Sequence, residues 1–306
     1  MHVDHNFHIG EQHLQNGMPC QDYALSGMLE GNIAYAIVSD GCSSGGKTDI
    51  GARLTALATE QAIRECIRIP HFRSNEAYMA VNDRRNMLLE QFRMTLGLEP
   101  EDMLATCLWA IAWGNTVLTN VTGDGTVVVC HELETLTHSF QWSDNVPYYP
   151  AYKSTGEDEA FRARHANTPE PLTYIVQSNI PGMGDALDGS MSTYPADVGM
   201  KGLWVVPTNT APDQFPGRLR SIALFSDGIG QIDGIPEESA VQELLAFKST
   251  TGRFVTRRMN RFLKNVKQHG SGPIDDIACA VIAFDPPDQP EGEHHDAHNQ
   301  TNEGDA

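Results

Sequence analysis

Positive charge is scarce in this chain: 21 Lys and Arg stand against 40 Asp and Glu in 306 residues, a formal net charge of −19. Binding a nucleic-acid backbone or an anionic membrane surface takes clustered Lys and Arg, so neither is an expected partner. Long apolar runs are also missing, and nothing approaches the ~20 residues of a membrane span. The opening MHVDHNFHIG has no basic segment followed by an apolar one, so no secretory leader is expected. No CxxC occurs among Cys20, Cys42, Cys66, Cys107, Cys130 and Cys279. Scattered, and several of them inside apolar runs, they read as free thiols of a cytoplasmic protein, and zinc is not expected.

What remains is ample for a large core: 40% of the residues are hydrophobic. The excess acid has two readings, a solvated surface or carboxylates clustered around cations. NIAYAIVSD, ending at Asp40, reads as a buried strand, and a helix follows it, capped near Thr48 or Asp49. A second helix is expected from Asn75 to Leu96. MLATCLWAIAWG, NTVLTNVTGDG and TVVVCHEL read as strands, the last two joined through Gly123-Asp124-Gly125, a hairpin signal. Residues 140–217 lose the pattern and read as long loops and short strands, a surface flap, with LWVVP a strand near its end. SIALFSDGIGQI is a strand and loop, PEESAVQELLAF and TGRFVTRRMNRFLKNVKQ are helices, and DDIACAVIAF is the closing strand. DPPDQPEGEHHDAHNQTNEGDA, with no Lys or Arg, is expected to be a disordered acidic tail over 285–306.

The carboxylates fall at strand edges. Asp40 and Asp227 each end an apolar run inside an SDG triplet, Asp275 and Asp276 precede another, Asp124 sits in TGDGTV, and Asp22 opens YALSG. Any one Asp-Gly pair is an ordinary turn. Strand ends on one rim of a sheet, however, lie close in space, and carboxylates brought together there repel one another unless a hard cation fills the cluster. Spacing alone leaves turn and metal site both open.

The ordered set CQDYAL, VSDGCSSGG, MLATCLWAI, TGDGTVVV, LFSDGIGQI and GPIDDIACAVIAF, running from about Ile9 to Phe284, resembles the motifs of the metal-dependent protein phosphatases of the 2C type. No single motif is specific, but six in this order are. The resemblance implies an α+β fold, a four-layer α-β-β-α sandwich with two central antiparallel sheets flanked by helices, over a catalytic domain spanning 1–284. It implies a protein serine/threonine phosphatase using two Mg²⁺ or Mn²⁺ ions and a third at a weaker site. Asp40 would bridge two metals, with the Gly41 carbonyl, Asp227 and Asp275 completing the pair; Asp22 would hold a water of the metal shell; Asp124, with Asp227, would hold the third ion. Asp40, Asp227 and Asp275 are thus the expected catalytic residues. Two such metals, ~3.5–4 Å apart, activate a water for in-line attack at phosphorus. The scattered cysteines lack the phosphate-cradling loop of a cysteine-dependent phosphatase.

The match departs from the family in four places. Many members carry an Arg just before the first acidic motif to clamp the substrate phosphate, whereas EQHLQNGMPCQD has no Arg or Lys. His13, Lys47 and Arg53 are the substitutes on offer, each with a plain structural role as its alternative. Cys42 stands where some relatives have a His, Asp276 where the family usually has Asn, and Gln21 where an acid or Asn is often found. A second reading therefore stands beside the enzyme: a phosphatase-fold module of weak activity that binds a phosphoprotein. No sensor or membrane domain is visible, so regulation is expected from a separate partner such as a Ser/Thr kinase.

Overall fold

The structure, a computed structural model, describes residues 1–69, 77–114, 116–166, 173–179, 190–195, 204–206 and 218–285. Two-residue alternation in the central strands builds its layers. In β3 (Ile33–Asp40), Ala34, Ala36 and Val38 face one core, while Tyr35 and Ile37 face another. In β4 (Cys107–Trp113), Leu108, Ala110 and Ala112 join the first core, and Trp109 and Ile111 the second. β11 (Leu219–Phe225) and β12 (Ile277–Ala283) behave likewise, sending Ile222, Leu224, Ala278, Ala280 and Ile282 into that same first core. Their other faces, with Ala223, Phe225, Cys279 and Val281, meet a third core. A strand buried on both faces reads as a continuous apolar run, as these four do in the sequence.

The first core lies between two antiparallel sheets. One has the order β10-β5-β4-β3-β2, with β2 at Asp22–Leu29, β5 at Thr116–Thr122 and β10 at Trp204–Val206. The other runs β1-β12-β11-β6-β7-β8-β9, with β1 at His2–His8, β6 at Gly125–His131, β7 at Thr135–Trp142, β8 at Thr173–Asn179 and β9 at Ser190–Pro195. Helices α2 (Thr48–Cys66) and α3 (Ala77–Leu96) cover the five-stranded sheet, setting Ala56, Ile63, Val81 and Leu89 against Tyr35, Ile37, Trp109 and Ile111. Helices α6 (Glu237–Leu245) and α7 (Phe254–Gln268) cover the seven-stranded one. α7 carries a cationic outer face, yet it is anchored by Phe254, Val255, Met259, Phe262 and Val266, each burial contributing about 1.5–3 kcal/mol. The expected α-β-β-α sandwich is the observed one.

Several expectations need correction. The Gly123-Asp124-Gly125 turn is not a hairpin: β5 pairs with β4 and β10, whereas β6 pairs with β11 and β7. The turn carries the chain from one sheet to the other, with positive φ at Gly123 (99°) and Gly125 (131°). Neither Thr48 nor Asp49 caps α2. Lys47 precedes the first turn, and its N–H donates to Asp102 Oδ1 at 2.7 Å from the 3₁₀ turn Pro100–Met103. Within 140–217 the described residues include helices α4 (Pro150–Thr155) and α5 (Asp158–Ala166) as well as strands that extend a sheet. Strand β1 and the short helix α1 (Glu11–Gln15) lie in a stretch to which no element was assigned. Asn75, where the second helix was expected to begin, and residues 286–306 of the expected tail lie outside the described residues.

Candidate metal centre

One rim of the sandwich collects the carboxylates. Asp22 and Asp40 are direct cross-strand partners at the end of the β2–β3 ladder. The Asp40 backbone is held from both sides: its N–H donates to Thr106 Oγ1 at 3.0 Å, and its carbonyl accepts the Thr106 N–H at 2.8 Å. Ser39 Oγ donates to the Thr106 carbonyl at 2.6 Å, so the residue just ahead of β4 fixes the tip of β3. Gly41 then bridges to Ala105, and its N–H donates to the Gln21 carbonyl at 3.1 Å. A Cβ at Gly41 would sit 2.6 Å from the Thr48 carbonyl oxygen, so α2 can start this close only behind a glycine.

The other sheet supplies Asp227, which follows β11 and opens the turn Asp227–Gly230, and Asp275, just ahead of β12. These strands are neighbours, with Phe225 opposite Cys279. Asp124 comes from the turn that crosses between the sheets. Asp40, Gly41, Asp124, Asp227 and Asp275 all line one cleft of about 230 Å³. Asp22 does not. It lies beneath, 1% exposed, and its Oδ2 accepts Ser226 Oγ–H at 2.6 Å. Ser226 Oγ in turn accepts the Ala278 N–H at 2.8 Å, so one hydroxyl ties β2 to the opposite sheet.

Burial and crowding raise Asp22, Asp40, Asp124 and Asp227 above the ordinary carboxyl range. Burial pushes Asp40 up most, and the neighbouring charges of Asp22, Asp227 and Asp124 add to it. Burial also raises Asp22, opposed by the Ser226 hydrogen bond. Asp124 is pushed up to about 7, by burial and then by Asp227. Asp227 is raised by burial and by Asp275, while a hydrogen bond with Asp40 and another from Gln231 Nε2, at 3.0 Å to Oδ2, oppose the rise. Among the described residues, no Lys, Arg or His lines the cleft. Four carboxylates there are balanced only by protons or by cations that enter, and the available donors (carboxylates, a glycine carbonyl, hydroxyls, amides) are oxygens of the kind Mg²⁺ and Mn²⁺ take. The residues present fit a hard divalent cation.

Asp276 has a different part. It is 3% exposed; its Oδ1 accepts the Gly10 N–H at 2.7 Å, and its Oδ2 accepts the Gln21 N–H at 2.5 Å. His13 Nδ1 lies 2.8 Å from the same Oδ2, a close approach rather than an aligned hydrogen bond. With Asp275, this pair forms a group whose ligand atoms lie within 4.8 Å of one another beside the cleft. The phosphate-binding candidates stand elsewhere. His13 faces Asp276; Lys47 leads into α2; Arg53 stacks over Phe7 and Tyr23 at 5.7 and 5.1 Å. None of the three lines the cleft.

Thr106 and Gln231, from the motifs MLATCLWAI and LFSDGIGQI, complete the wall together with Asn145, Pro147 and Tyr149, which belong to no motif. Tyr149 is 7% exposed and hydrogen-bonded to Cys42; burial, that bond and the charges of Asp124 and Asp40 hold its hydroxyl far above the ordinary phenol range. Asn145, at φ 53°, follows another left-handed residue, Asp144 at φ 58°. These positions come from the segment after β7, where the sequence has no period to read; the YYP triplet is the nearest thing to a signal.

Comparison with known proteins agrees with the fold. The family model described as protein phosphatase 2C matches residues 9–269. The chain belongs to that family. A search of curated proteins found no significant match. Among solved structures, an arginine-to-glutamate variant of a bacterial serine phosphatase superposes with a TM-score of 0.54 at 11% identity, covering 93% of this chain and 99% of that one. The serine/threonine phosphatase Stp1 from Staphylococcus aureus gives 0.52 at 13% identity, covering 94% and 96%. At such identities the likeness is one of fold.

Proposed function

We propose that the protein is a metal-dependent phosphatase acting on phosphoserine or phosphothreonine in proteins, with residues 1–284 as its catalytic domain. The observation that carries this reading is the cleft: four carboxylates from both sheets converge there, and no basic side chain among the described residues lines it. Left empty, such a site repels a phosphate dianion; loaded with divalent cations, it attracts one. Asp40, Asp227, Asp275 and the Gly41 carbonyl would hold two Mg²⁺ or Mn²⁺ ions, and Asp124 with Asp227 a third. Bound there, the ions supply Lewis acidity, water activation and charge neutralisation to phosphoryl transfer.

The chain's own residues set the geometry for that chemistry. Thr106 fixes the Asp40 main chain, so its carboxylate would need little reorganisation to hold a cation. Gln231 orients Asp227, and Ser226 holds Asp22 beneath the cleft. Tyr149, itself buried, forms part of one wall. The substrate on this reading is a phosphorylated protein, and the reading includes a partner Ser/Thr kinase in the cytoplasm. No helix among the described residues is long and apolar enough to cross a membrane.

The test is hydrolysis of a phosphothreonine peptide with Mn²⁺, with EDTA, and by Asp40→Asn with Mn²⁺. Activity in the first condition alone is expected. The lack of a basic phosphate clamp on the cleft wall favours one competing reading, a phosphoprotein-binding module of little activity. Mn²⁺ binding by calorimetry without hydrolysis would establish that module instead.

A further inference from the structure

A second cavity, of about 280 Å³, lies between α3 and the α4–α5 pair. It shares a wall with the metal cleft: Tyr148 lines this cavity and Tyr149 the cleft, while Thr122 lines this cavity and Asp124 the cleft. Among the described residues the cleft has no cationic side chain, and this cavity has three: Arg85, Lys153 and Arg162. Arg85 is the unusual one. It is 2% exposed, its Nε donates to Asn86 Oδ1 at 3.2 Å, and its Nη1 has no hydrogen-bond partner. No carboxylate among the described residues forms an ion pair with it. A buried guanidinium with an idle N–H is costly, and the cost is relieved when an acceptor enters.

The remaining charges leave room for that acceptor. Asp158 takes the Tyr148 hydroxyl at 2.6 Å and faces Lys153 at 3.6 Å and Arg162 at 3.4 Å. The two cationic side chains are about half exposed, at 55% and 49%, so these loose pairs bind them weakly and leave their donors available. Asp83 also lines the cavity, giving three cations against two carboxylates. Below, Asn82 is fixed by donating to Asn120 Oδ1 at 3.2 Å and by accepting Trp109 Nε1–H at 3.1 Å.

We propose that this cavity is an anion subsite that receives a second phosphate or carboxylate of the phosphoprotein substrate, a few residues from the group held in the metal cleft. The proposal rests on the phosphatase reading for its substrate, although anion binding itself does not. Arg85 supplies the planar donor at the floor, and Lys153 and Arg162 supply charge at the mouth. The subsite places cationic recognition beside a cleft that has none of its own.

Calorimetric titration of inorganic phosphate into EDTA-treated protein isolates the subsite, because the metal-free carboxylate cleft repels phosphate. Binding is expected, roughly tenfold weaker in the Lys153→Gln/Arg162→Gln double variant, whose altered side chains are half exposed and leave the fold intact. Arg85→Lys keeps the charge but loses the fork, and is expected to weaken binding by a similar factor. No binding, or equal binding by all three proteins, overturns the subsite whether or not the protein is a phosphatase.

The source of the anion is read with Mn²⁺ and two peptides, one singly phosphorylated and one with a second phosphoserine or Glu nearby. A lower KM for the second peptide is expected, lost in the double variant at unchanged kcat. Phosphate binding without that peptide preference overturns the substrate assignment, because free phosphate is then the anion held. Failure to hydrolyse either peptide strikes the phosphatase reading, while the EDTA titration still decides the subsite.

Discussion

Asp276→Asn is the substitution whose outcome the geometry fixes most tightly. The carboxylate accepts two main-chain N–H groups with separate oxygens, Gly10 at Oδ1 and Gln21 at Oδ2, both buried. An asparagine has one acceptor oxygen, so whichever way its amide turns, one N–H loses its partner and meets an NH₂ group. Leaving a buried donor unsatisfied costs about 1–3 kcal/mol. Asp276→Ala strands both donors, and since such losses are not additive, roughly 2–5 kcal/mol is expected. For a domain of this size each kcal/mol moves the midpoint by about 2–4 °C. The assay is a thermal melt in EDTA, so that no cation contributes, with urea unfolding as a second measure. The expected order of stability is wild type, then Asn, then Ala. An Asn variant as stable as wild type, or more so, would refute the latch and show that relief of repulsion from Asp22 outweighs the lost bond.

Three further outcomes are expected. Asp124 titrates at about 7 in the folded chain against an ordinary 3.8, so the metal-free fold binds that proton more tightly than the unfolded chain does. Its stabilising effect is complete below pH 4 and lost as pH rises to about 7, to an upper limit of about 4 kcal/mol. EDTA-treated wild type should therefore lose melting temperature between pH 5 and 8 more steeply than Asp124→Asn, and equal slopes would contradict the assignment. Thr106→Val leaves the Asp40 N–H without its acceptor; a loss of about 1–2 kcal/mol in urea unfolding and weaker Mn²⁺ binding by calorimetry are expected. Phe262→Ala opens the fully buried side of α7 and should cost about 3–5 kcal/mol in the same unfolding assay, with Mn²⁺ binding unchanged.

The central strands were legible because they are buried on both faces and so read as unbroken apolar runs ending in acids; their assembly into a sandwich was legible only through the resemblance of the ordered motifs. The nearness of Asp227 to Asp275 followed from the same fact, since neighbouring strand ends share a rim, whereas Asp40 reaches them from the other sheet, which no strand pattern shows. The Asp124 turn was legible as a turn but not in its direction: Asp-Gly specifies a tight reversal, and only the pairing partners of β5 and β6 reveal a crossing between sheets. Asp276 read as one more carboxylate of the cluster because its role depends on Gly10 and Gln21, residues more than 250 positions away. Tyr149 and Arg85 were invisible for another reason. Each is a side chain that packing buries beside a cavity, and neither spacing nor local propensity encodes a cavity.

The pairing of β1 with β12 joins His8 to Ile277, and the Asp276 latch lies directly beyond that register. Long-range pairing of this kind is slow, because a large loop must close before any contact rewards it. During synthesis, β11 waits for its neighbour β12, and the carboxylate rim lacks Asp275 until the final strand leaves the ribosome. A nascent chain thus holds most of its core early and closes the carboxylate cluster of the rim last, so that cluster marks the completion of folding rather than its onset.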